Sequence, residues 1–323
     1  METQSDVASW AAALANPVSA KWRPFRSYAE IGGALAAVAR MPGVHVVRSG
    51  SSVRGEPIWR VVVDAAADQA PTLLVVAGLH AMEHVGVFAA LALIEQAARR
   101  VAPWPLVRLA VLPLVNPDGF RAVEGDLARG RRRFRRRNAN GVDLNRNFAG
   151  SFRRRYWVHA LAPMFFRPGN APLSEPESMA VDETCSLLGP AIAVSLHAFG
   201  DRIYLPWAGA GDAPADAGDL RDLARTAAGA AGRFKRITQL GSHRVIAPGA
   251  EIDCFYGRHN ALAMLFEIGT GPRWREPGSW FLPYAWYTAS GQRLAGDIDA
   301  TVAAIAAVVP HAHGAEARRT LIR

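Results

Sequence analysis

The chain has 323 residues, of which 50% are hydrophobic and 20% are charged, and its formal net charge is +9. This hydrophobic share is ample for a sizeable buried core. Two cysteines, Cys185 and Cys254, exclude a disulfide-rich framework, and their spacing is not that of a metal knuckle.

No Ser/Gly-rich or Pro-rich linker and no internal repeat divides the chain, so one domain is expected. The segment from Met1 to Asp6 lacks a basic stretch followed by an apolar core, which predicts a cytoplasmic protein without a secretory signal. No uninterrupted apolar run reaches membrane-spanning length, because Arg293, Asp297 and Asp299 break the most apolar C-terminal stretch. We therefore expect no membrane partner.

The positive charge is concentrated in two arginine runs, 129–137 and 153–155, and only two of the 37 basic residues are lysines. Such runs can mark a nucleic-acid surface. They can equally form a solvated basic rim that attracts anionic peptides. The second interpretation is favoured, because the first run directly precedes a motif with catalytic character.

Apolar spacing predicts alternating strands and helices. The predicted strands are residues 58–63, 72–77, 106–115, 191–196 and 261–266, and the predicted helices are 83–100, 174–188, 213–232 and 291–309. Residues 116–119, Asn-Pro-Asp-Gly, predict a turn. Ser174 and Glu177 have the spacing of a helix-capping box.

This alternation predicts an α/β fold with a mixed, mostly parallel twisted sheet and helices on both faces. Ligands of such sheets bind beyond the carboxyl ends of the strands. Glu83, His197 and Glu267 each closely follow a predicted strand, so their side chains can converge there.

His80 and Glu83 lie three residues apart, and His197 ends a later apolar run. Two imidazoles and one carboxylate, with a fourth position left open, are the ligand set of a catalytic zinc ion. One Zn²⁺ per chain is therefore expected. His84 also follows Glu83, but we expect it to pack in the helix that begins there.

The chain resembles the zinc carboxypeptidases of the carboxypeptidase A type. The resemblance depends on the His-x-x-Glu motif at His80 and Glu83, the distant His197, and the string Asp-Leu-Asn-Arg-Asn-Phe at residues 143–148. It spans roughly residues 24 to 269. It implies an N-terminal extension at 1–23 and a single catalytic domain at 24–323.

The resemblance also assigns roles to residues near the metal ligands. It implies that Glu267 is the general base and that Asp143 orients His80. Asn145 and Arg146 would bind the terminal carboxylate of a substrate, because arginine offers paired donors that match a carboxylate. One further arginine would stabilise the oxyanion. Arg135 and Arg136 both fit that position, and Arg136 is preferred.

The resemblance also places Ile252 at the bottom of the pocket that binds the side chain of the departing residue. An isoleucine there predicts a preference for apolar C-terminal residues. Glu251 and Asp253 flank Ile252 and could instead accept a cationic side chain. The sequence leaves both alternatives open.

The chain departs from the family pattern at three places. Met82 stands where digestive members carry an arginine, and no tyrosine lies near Val245, where the family has a mobile one. Residues 270–287 contain six aromatic side chains, which could wall the substrate cleft or pack in the core.

We therefore expect a zinc-dependent carboxypeptidase whose substrate is the C-terminus of a peptide or protein. One rival is an amidase that cleaves γ-D-glutamyl–diaminopimelate bonds of murein peptides, because residues 136–148 look similar to those of such bacterial members. A second rival is a modification enzyme that trims one particular protein or natural-product precursor. A rival of another class is a non-catalytic, arginine-rich binding module, which would not need Glu267.

Overall fold

The computed structural model describes residues 27–131, 133–155, 166–242, 246–270 and 291–322. The strands in this part of the chain are Val44–Ser51 (β1), Pro57–Val63 (β2), Thr72–Ala77 (β3), Arg108–Leu112 (β4), Ile192–His197 (β5), Arg202–Leu205 (β6), Arg236–Gln239 (β7) and Leu262–Glu267 (β8). The α-helices are Tyr28–Val38 (α1), His84–Ala98 (α2), Pro117–Ala128 (α3), Pro176–Leu188 (α4), Ala217–Ala231 (α5), Glu251–Gly257 (α6), Gly291–Val308 (α7) and Ala312–Ile322 (α8). Short 3₁₀ turns occur at Trp104–Leu106, Leu144–Arg146, Leu240–Ser242 and Val309–His311.

The eight strands form one sheet in the order β1-β2-β4-β3-β5-β8-β6-β7. The four pairs β4/β3, β3/β5, β5/β8 and β6/β7 are parallel, whereas β1/β2, β2/β4 and β6/β8 are antiparallel. The predicted α/β fold with a mixed, mostly parallel sheet is confirmed.

The central strands are buried on both faces. Every residue of β3 and of β5 is buried, although successive side chains of a strand point to opposite faces. Such strands need cover on both sides, which explains their continuous runs of Leu, Val, Ile and Ala. On this sheet α2 packs against α7, and α7 packs against α5.

Two local predictions are wrong. Residues 116–119 do not form an isolated turn: Asn116 caps α3, and its Oδ1 accepts a hydrogen bond from the Gly119 amide at 2.9 Å. Pro117 suits the first helical position because its missing N–H would have no helical partner there. Gly119 is required by close packing, since a Cβ at this position would lie 2.6 Å from the Cβ of Ala81.

The predicted capping box at Ser174 is also absent, because α4 has Glu175 at its N-cap and no side-chain cap. The carboxylate of Glu177 instead accepts hydrogen bonds from the Val53 amide at 3.1 Å and from Asn138 Nδ2 at 3.0 Å. Glu177 therefore bonds to segments distant in the chain, and not to the N-cap of its own helix.

The segment Leu294–Thr320 is long and apolar enough to cross a membrane by length and composition, and 61% of its most apolar window is buried inside the protein. Within this segment α7 packs against α2 and α5. Such burial is typical of a core helix in a folded protein.

Candidate active site and metal centre

His80 and Glu83 come from the turn between β3 and α2, and His197 is the last residue of β5. Strands β3 and β5 are parallel neighbours, with Ala77 paired with Leu196. The chain therefore leaves both strands at the same edge of the sheet, where the three side chains meet. All three are buried, at 2–3% exposure.

The potential ligand atoms of this cluster are close together. His80 Nδ1 lies 2.8 Å from Glu83 Oε1, and His197 Nδ1 lies 2.9 Å from Glu83 Oε2 and 3.0 Å from His80 Nδ1. These three residues form a group that could hold a metal ion. Zinc ligands lie about 2 Å from the metal, so donor atoms at these separations can share one ion.

The second nitrogen of each imidazole lies against a carboxylate. His80 Nε2 is 3.0 Å from Asp143 Oδ1, and His197 Nε2 is 2.9 Å from Glu251 Oε1. A carboxylate can only accept here, so each Nε2 carries a proton, and the Nδ1 of a neutral ring then presents its lone pair to the cluster. Two Nδ1 atoms 3.0 Å apart need a positive charge between them, which a metal ion or a proton on His197 can supply. This donor set fits a zinc ion.

The charges around the cluster favour a cation. Burial alone would lower the pKa of His197, but the negative charges of Glu251 and Glu83 raise it to about 10. Burial opposes ionisation of Glu83, yet His80 and His197 hold its pKa below the usual range. Burial also opposes ionisation of Asp143, and Arg136 and His80 hold its pKa well below the usual range.

Glu251 lies in a place that the sequence did not predict. It was expected to flank a specificity pocket, but its side chain is fully buried and bonded to His197. The physical reason is that α6 begins at Glu251 and directs its first carboxylate at the end of β5. Glu251 therefore acts on His197 as Asp143 acts on His80.

Ile252 and Asp253 are also fully buried. Ile252 belongs to the main apolar core. Asp253 accepts hydrogen bonds from the amides of Ala208 at 2.7 Å and Gly209 at 2.8 Å, which anchors the loop after β6. Both side chains are inaccessible to solvent, and their role at a specificity pocket stays a prediction.

Arg136, rather than Arg135, lies beside the cluster. Arg136 Nε donates to Asp143 Oδ2 at 2.7 Å, and its Nη1 is 3.5 Å from Glu83 Oε1. Arg135 donates to Asp126 Oδ2 at 2.5 Å, and its side chain is 36% exposed. Asp143 thus holds one edge of the Arg136 guanidinium next to the metal ligands.

Glu267 ends β8, and its register partner on β5 is His197. Its Oε2 is buried and has no hydrogen-bond partner among the described residues. Burial, reinforced by the charge of Glu83, raises the pKa of Glu267 to about 8. A half-buried carboxyl with a raised pKa, next to a potential metal ligand, is a candidate general base.

Asn145 and Arg146 lie on the 3₁₀ turn that follows Asp143. The Arg146 guanidinium lies 5.5 Å from the centre of the Phe166 ring, and its Nε is buried without a hydrogen-bond partner among the described residues. Burial lowers the pKa of Arg146 from its usual value. A half-buried guanidinium whose Nε–H has no partner among the described residues suits an anionic group. Asn145 Oδ1 accepts from the Glu251 amide at 3.1 Å, which ties this turn to α6.

The neighbours of the ligands have structural roles. His84 is buried and stacked on Phe120 at 4.2 Å, as expected of a residue that packs in α2, and burial lowers its pKa to about 3. Met82 is buried with Ala81 and Val123. The Ala198 amide donates to Glu83 Oε2 at 3.1 Å.

Two predictions concern segments outside the described residues. These segments are the position near Val245, where the family has a tyrosine, and residues 271–287 of the aromatic segment.

A second group with metal-ligand chemistry was not predicted. Asp182, Cys254 and His259 lie within reach of one ion. However, Asp182 Oδ1 already accepts from His259 Nε2 at 2.8 Å and from Arg258 Nε at 2.9 Å. The guanidinium supplies the positive charge, so this group is best described as a polar link between α4 and the end of α6.

Comparison with known proteins agrees with this geometry. The family model described as zinc carboxypeptidase matches residues 34–288, most of the chain. The chain belongs to the zinc carboxypeptidase family. All the metal-cluster residues lie inside the matched range, and the resemblance predicted from the motifs is confirmed. Members of the zinc carboxypeptidase family depend on zinc, the ion that the cluster suits.

Two curated relatives and one solved structure illustrate the similarity. Carboxypeptidase M of Mus musculus is 28% identical over 167 residues, 47% of this chain and 33% of the relative. Murein peptide amidase A of Escherichia coli strain K12 is 32% identical over 155 residues, 46% of this chain and 57% of the relative. The matches therefore cover less than two thirds of either relative's length. Carboxypeptidase A from Helicoverpa armigera has a TM-score of 0.69 at 22% identity, with 95% of this chain and 80% of that chain covered, which shows the shared fold.

Proposed function

We propose that the protein binds one zinc ion and hydrolyses the C-terminal peptide bond of a peptide or protein. The observation that supports this most is that three potential metal ligands (His80, Glu83 and His197), the carboxyl of Glu267 and the guanidinium of Arg146 lie at one edge of the sheet. The metal ligands and Glu267 would provide the hydrolytic chemistry. Arg146 would explain why a free C-terminus is selected.

His80, Glu83 and His197 would hold the ion, and Asp143 and Glu251 keep both imidazoles in the binding tautomer. When bound, zinc supplies Lewis acidity and makes water more acidic. Glu267 takes the proton of the attacking water and returns it to the leaving amine. Its raised pKa, about 8, suits both directions of this transfer.

Two arginines have separate tasks. Arg136, anchored by Asp143, places positive charge where the scissile carbonyl oxygen becomes negative. Arg146 binds the terminal carboxylate and so positions the last peptide bond near the ligands and Glu267. This positioning is the physical basis for removing one residue at a time.

A second candidate function is the cleavage of a γ-D-glutamyl–diaminopimelate bond in murein peptides. It is favoured by the 32% identity with murein peptide amidase A over 155 residues. The same Arg146 would then bind a carboxylate of the diaminopimelate residue. A purely binding role for the arginine-rich surface does not account for the buried, unpartnered Oε2 of Glu267 beside the cluster.

The test is mass spectrometry of a peptide mixture incubated with the zinc-loaded protein. The mixture contains matched peptides with free and amidated C-termini, together with a murein tripeptide. If one residue is lost from the peptides with free C-termini and not from the amidated peptides, the carboxypeptidase activity is supported. Cleavage of the murein tripeptide alone supports the amidase. If nothing is cleaved while zinc is bound, the proposed activity is rejected for these substrates.

A further inference from the structure

Ser195 lies two residues before the potential metal ligand His197 on β5. Successive side chains of a strand point to opposite faces, so Ser195 and His197 share one face of the sheet. Ser195 is fully buried, and its register partners on the neighbouring strands are the buried Val76 and Leu265. A hydroxyl among these apolar side chains needs a hydrogen-bond partner, because burying an unbonded polar group is costly.

The carboxylate of Glu251 meets the same face of β5 from the start of α6. Its Oε1 lies 2.9 Å from His197 Nε2. The backbone of Glu251 is also held, since its amide donates to Asn145 Oδ1 at 3.1 Å. Helix α6 packs against both β5 and β8. Glu251 therefore reaches His197 with one carboxylate oxygen engaged and with its backbone fixed.

Two buried polar atoms at this place are left without a well-formed bond. They are Ser195 Oγ and Glu251 Oε2, and neither makes a hydrogen bond of good geometry with the described residues. A serine hydroxyl can donate and a carboxylate oxygen can accept, so each atom supplies what the other lacks. A small rotation of the Ser195 side chain would satisfy both atoms at once.

The electrostatics of Glu251 agree with a contact between these two groups. Burial opposes ionisation of Glu251, whereas the charge of His197 and hydrogen bonds, one of them from the Ser195 hydroxyl, hold its pKa below the usual value. The hydroxyl is therefore close enough to favour the ionised carboxylate.

We propose that Ser195 is a positioning residue whose hydroxyl donates to Glu251 Oε2 and so holds Oε1 on His197 Nε2. Ser195, Glu251 and His197 then form a hydrogen-bonded chain that ends at the His197 Nδ1 facing His80 and Glu83. Fixing the carboxylate maintains the tautomer and the ring orientation that a metal-ligating histidine needs. The inference rests on the zinc site of the proposed function, and does not depend on the substrate.

The first test compares Ser195→Thr with Ser195→Val. These variants have almost the same size, so the cost of the added methyl group is shared, but only threonine keeps the hydroxyl. A competition titration with a chromophoric chelator measures zinc affinity. We expect Ser195→Val to bind zinc about tenfold more weakly than Ser195→Thr, because a hydrogen bond to a charged group is lost.

Ser195→Ala gives the same comparison with wild type without added volume, and should also weaken zinc binding about tenfold. Thr184→Val is the matched control. Thr184 is buried on α4, and its Oγ1 donates to the Ala180 carbonyl of the same helix at 2.7 Å. Removing this hydroxyl should leave zinc affinity unchanged. Circular dichroism and thermal unfolding verify that each variant is folded.

A double-mutant cycle distinguishes positioning from a general loss of packing. If Ser195 acts through Glu251, the effect of Ser195→Ala on zinc affinity should nearly vanish in a Glu251→Ala background. A loss of packing alone would give the same effect of Ser195→Ala in both backgrounds.

The proposal is overturned if Ser195→Thr and Ser195→Val bind zinc equally and Ser195→Ala matches wild type. It is also overturned if Ser195→Ala keeps its full effect without the Glu251 carboxylate. Because zinc affinity is measured without peptide, a protein that binds zinc but cleaves no peptide would reject the proposed activity and leave the role of Ser195 decided by these titrations.

Discussion

The Nε2 of His197 lies 2.9 Å from the Oε1 of Glu251, and both side chains are buried. This contact determines the tautomer of His197 and directs its Nδ1 at His80 and Glu83. The pair joins the end of β5 to the start of α6, two elements separated by more than fifty residues in the chain.

Replacing Glu251 with Gln should weaken zinc binding about 10–100-fold, as expected when the hydrogen-bond partner of a ligating histidine is changed. Asp143→Asn should have a similar effect through His80. The measurement is a competition titration with a chromophoric chelator. Glu267→Gln is the control, because Glu267 is outside the group of potential ligands among the described residues and should change zinc affinity far less. If Glu251→Gln binds zinc with the wild-type affinity, Glu251 does not orient His197 as proposed.

Glu267→Gln should lower kcat by about 10²–10⁴-fold, the usual contribution of a general base. Zinc content should stay at one ion per chain, since Glu267 is outside the ligand set. Steady-state kinetics and metal analysis on the same sample test this. A variant that keeps most of the wild-type kcat would show that another group takes the proton.

Arg146→Met should raise KM for peptides with a free C-terminus about 100-fold, because a charged, paired contact with the carboxylate is lost. Discrimination between free and amidated peptides should disappear. Arg146→Lys keeps the charge but not the planar fork, so it should recover only part of the affinity. If Arg146→Met still rejects amidated peptides, the carboxylate anchor lies elsewhere.

Asp216 provides a pH-dependent contribution to stability. Hydrogen bonds from Arg318 hold the pKa of Asp216 below its usual value, and Tyr256 donates to it at 2.7 Å. A depressed carboxyl pKa stabilises the folded state above the unfolded pKa, and this stabilisation is lost as the pH falls through the folded pKa. Asp216→Asn should lower the free energy of unfolding by about 1–2 kcal/mol at neutral pH.

Urea unfolding of wild type and Asp216→Asn tests this between neutral pH and about pH 3, since the unfolded pKa of aspartate is about 3.9. The difference in the free energy of unfolding should be constant near neutrality and shrink below about pH 4. Asp222→Asn is the matched control on the same helix, because the Asp222–Arg225 pair is exposed. A difference that does not depend on pH would mean that the Asp216 charge is unimportant.

The sequence by itself determined the parts of the site that depend on short spacing. His80 and Glu83 are three residues apart, and His197 ends a run of buried residues, so the ligand set followed from local patterns. The central strands β3 and β5 were predictable for the same reason, since burial on both faces requires continuous apolar runs. The strands β6 and β7 were missed because four residues carry too little periodicity.

Only the tertiary structure decided which of two adjacent arginines faces the ligands and where Glu251 lies. Arg135 and Arg136 occupy equivalent places in an arginine run, and their partners, Asp126 and Asp143, sit on different elements. From the sequence, the carboxylate of Glu251 could face either solvent or protein. The packing of α6 against β5 directs it at His197. Contacts of this kind join residues distant in the chain, and their energies depend on the burial and geometry of the folded state.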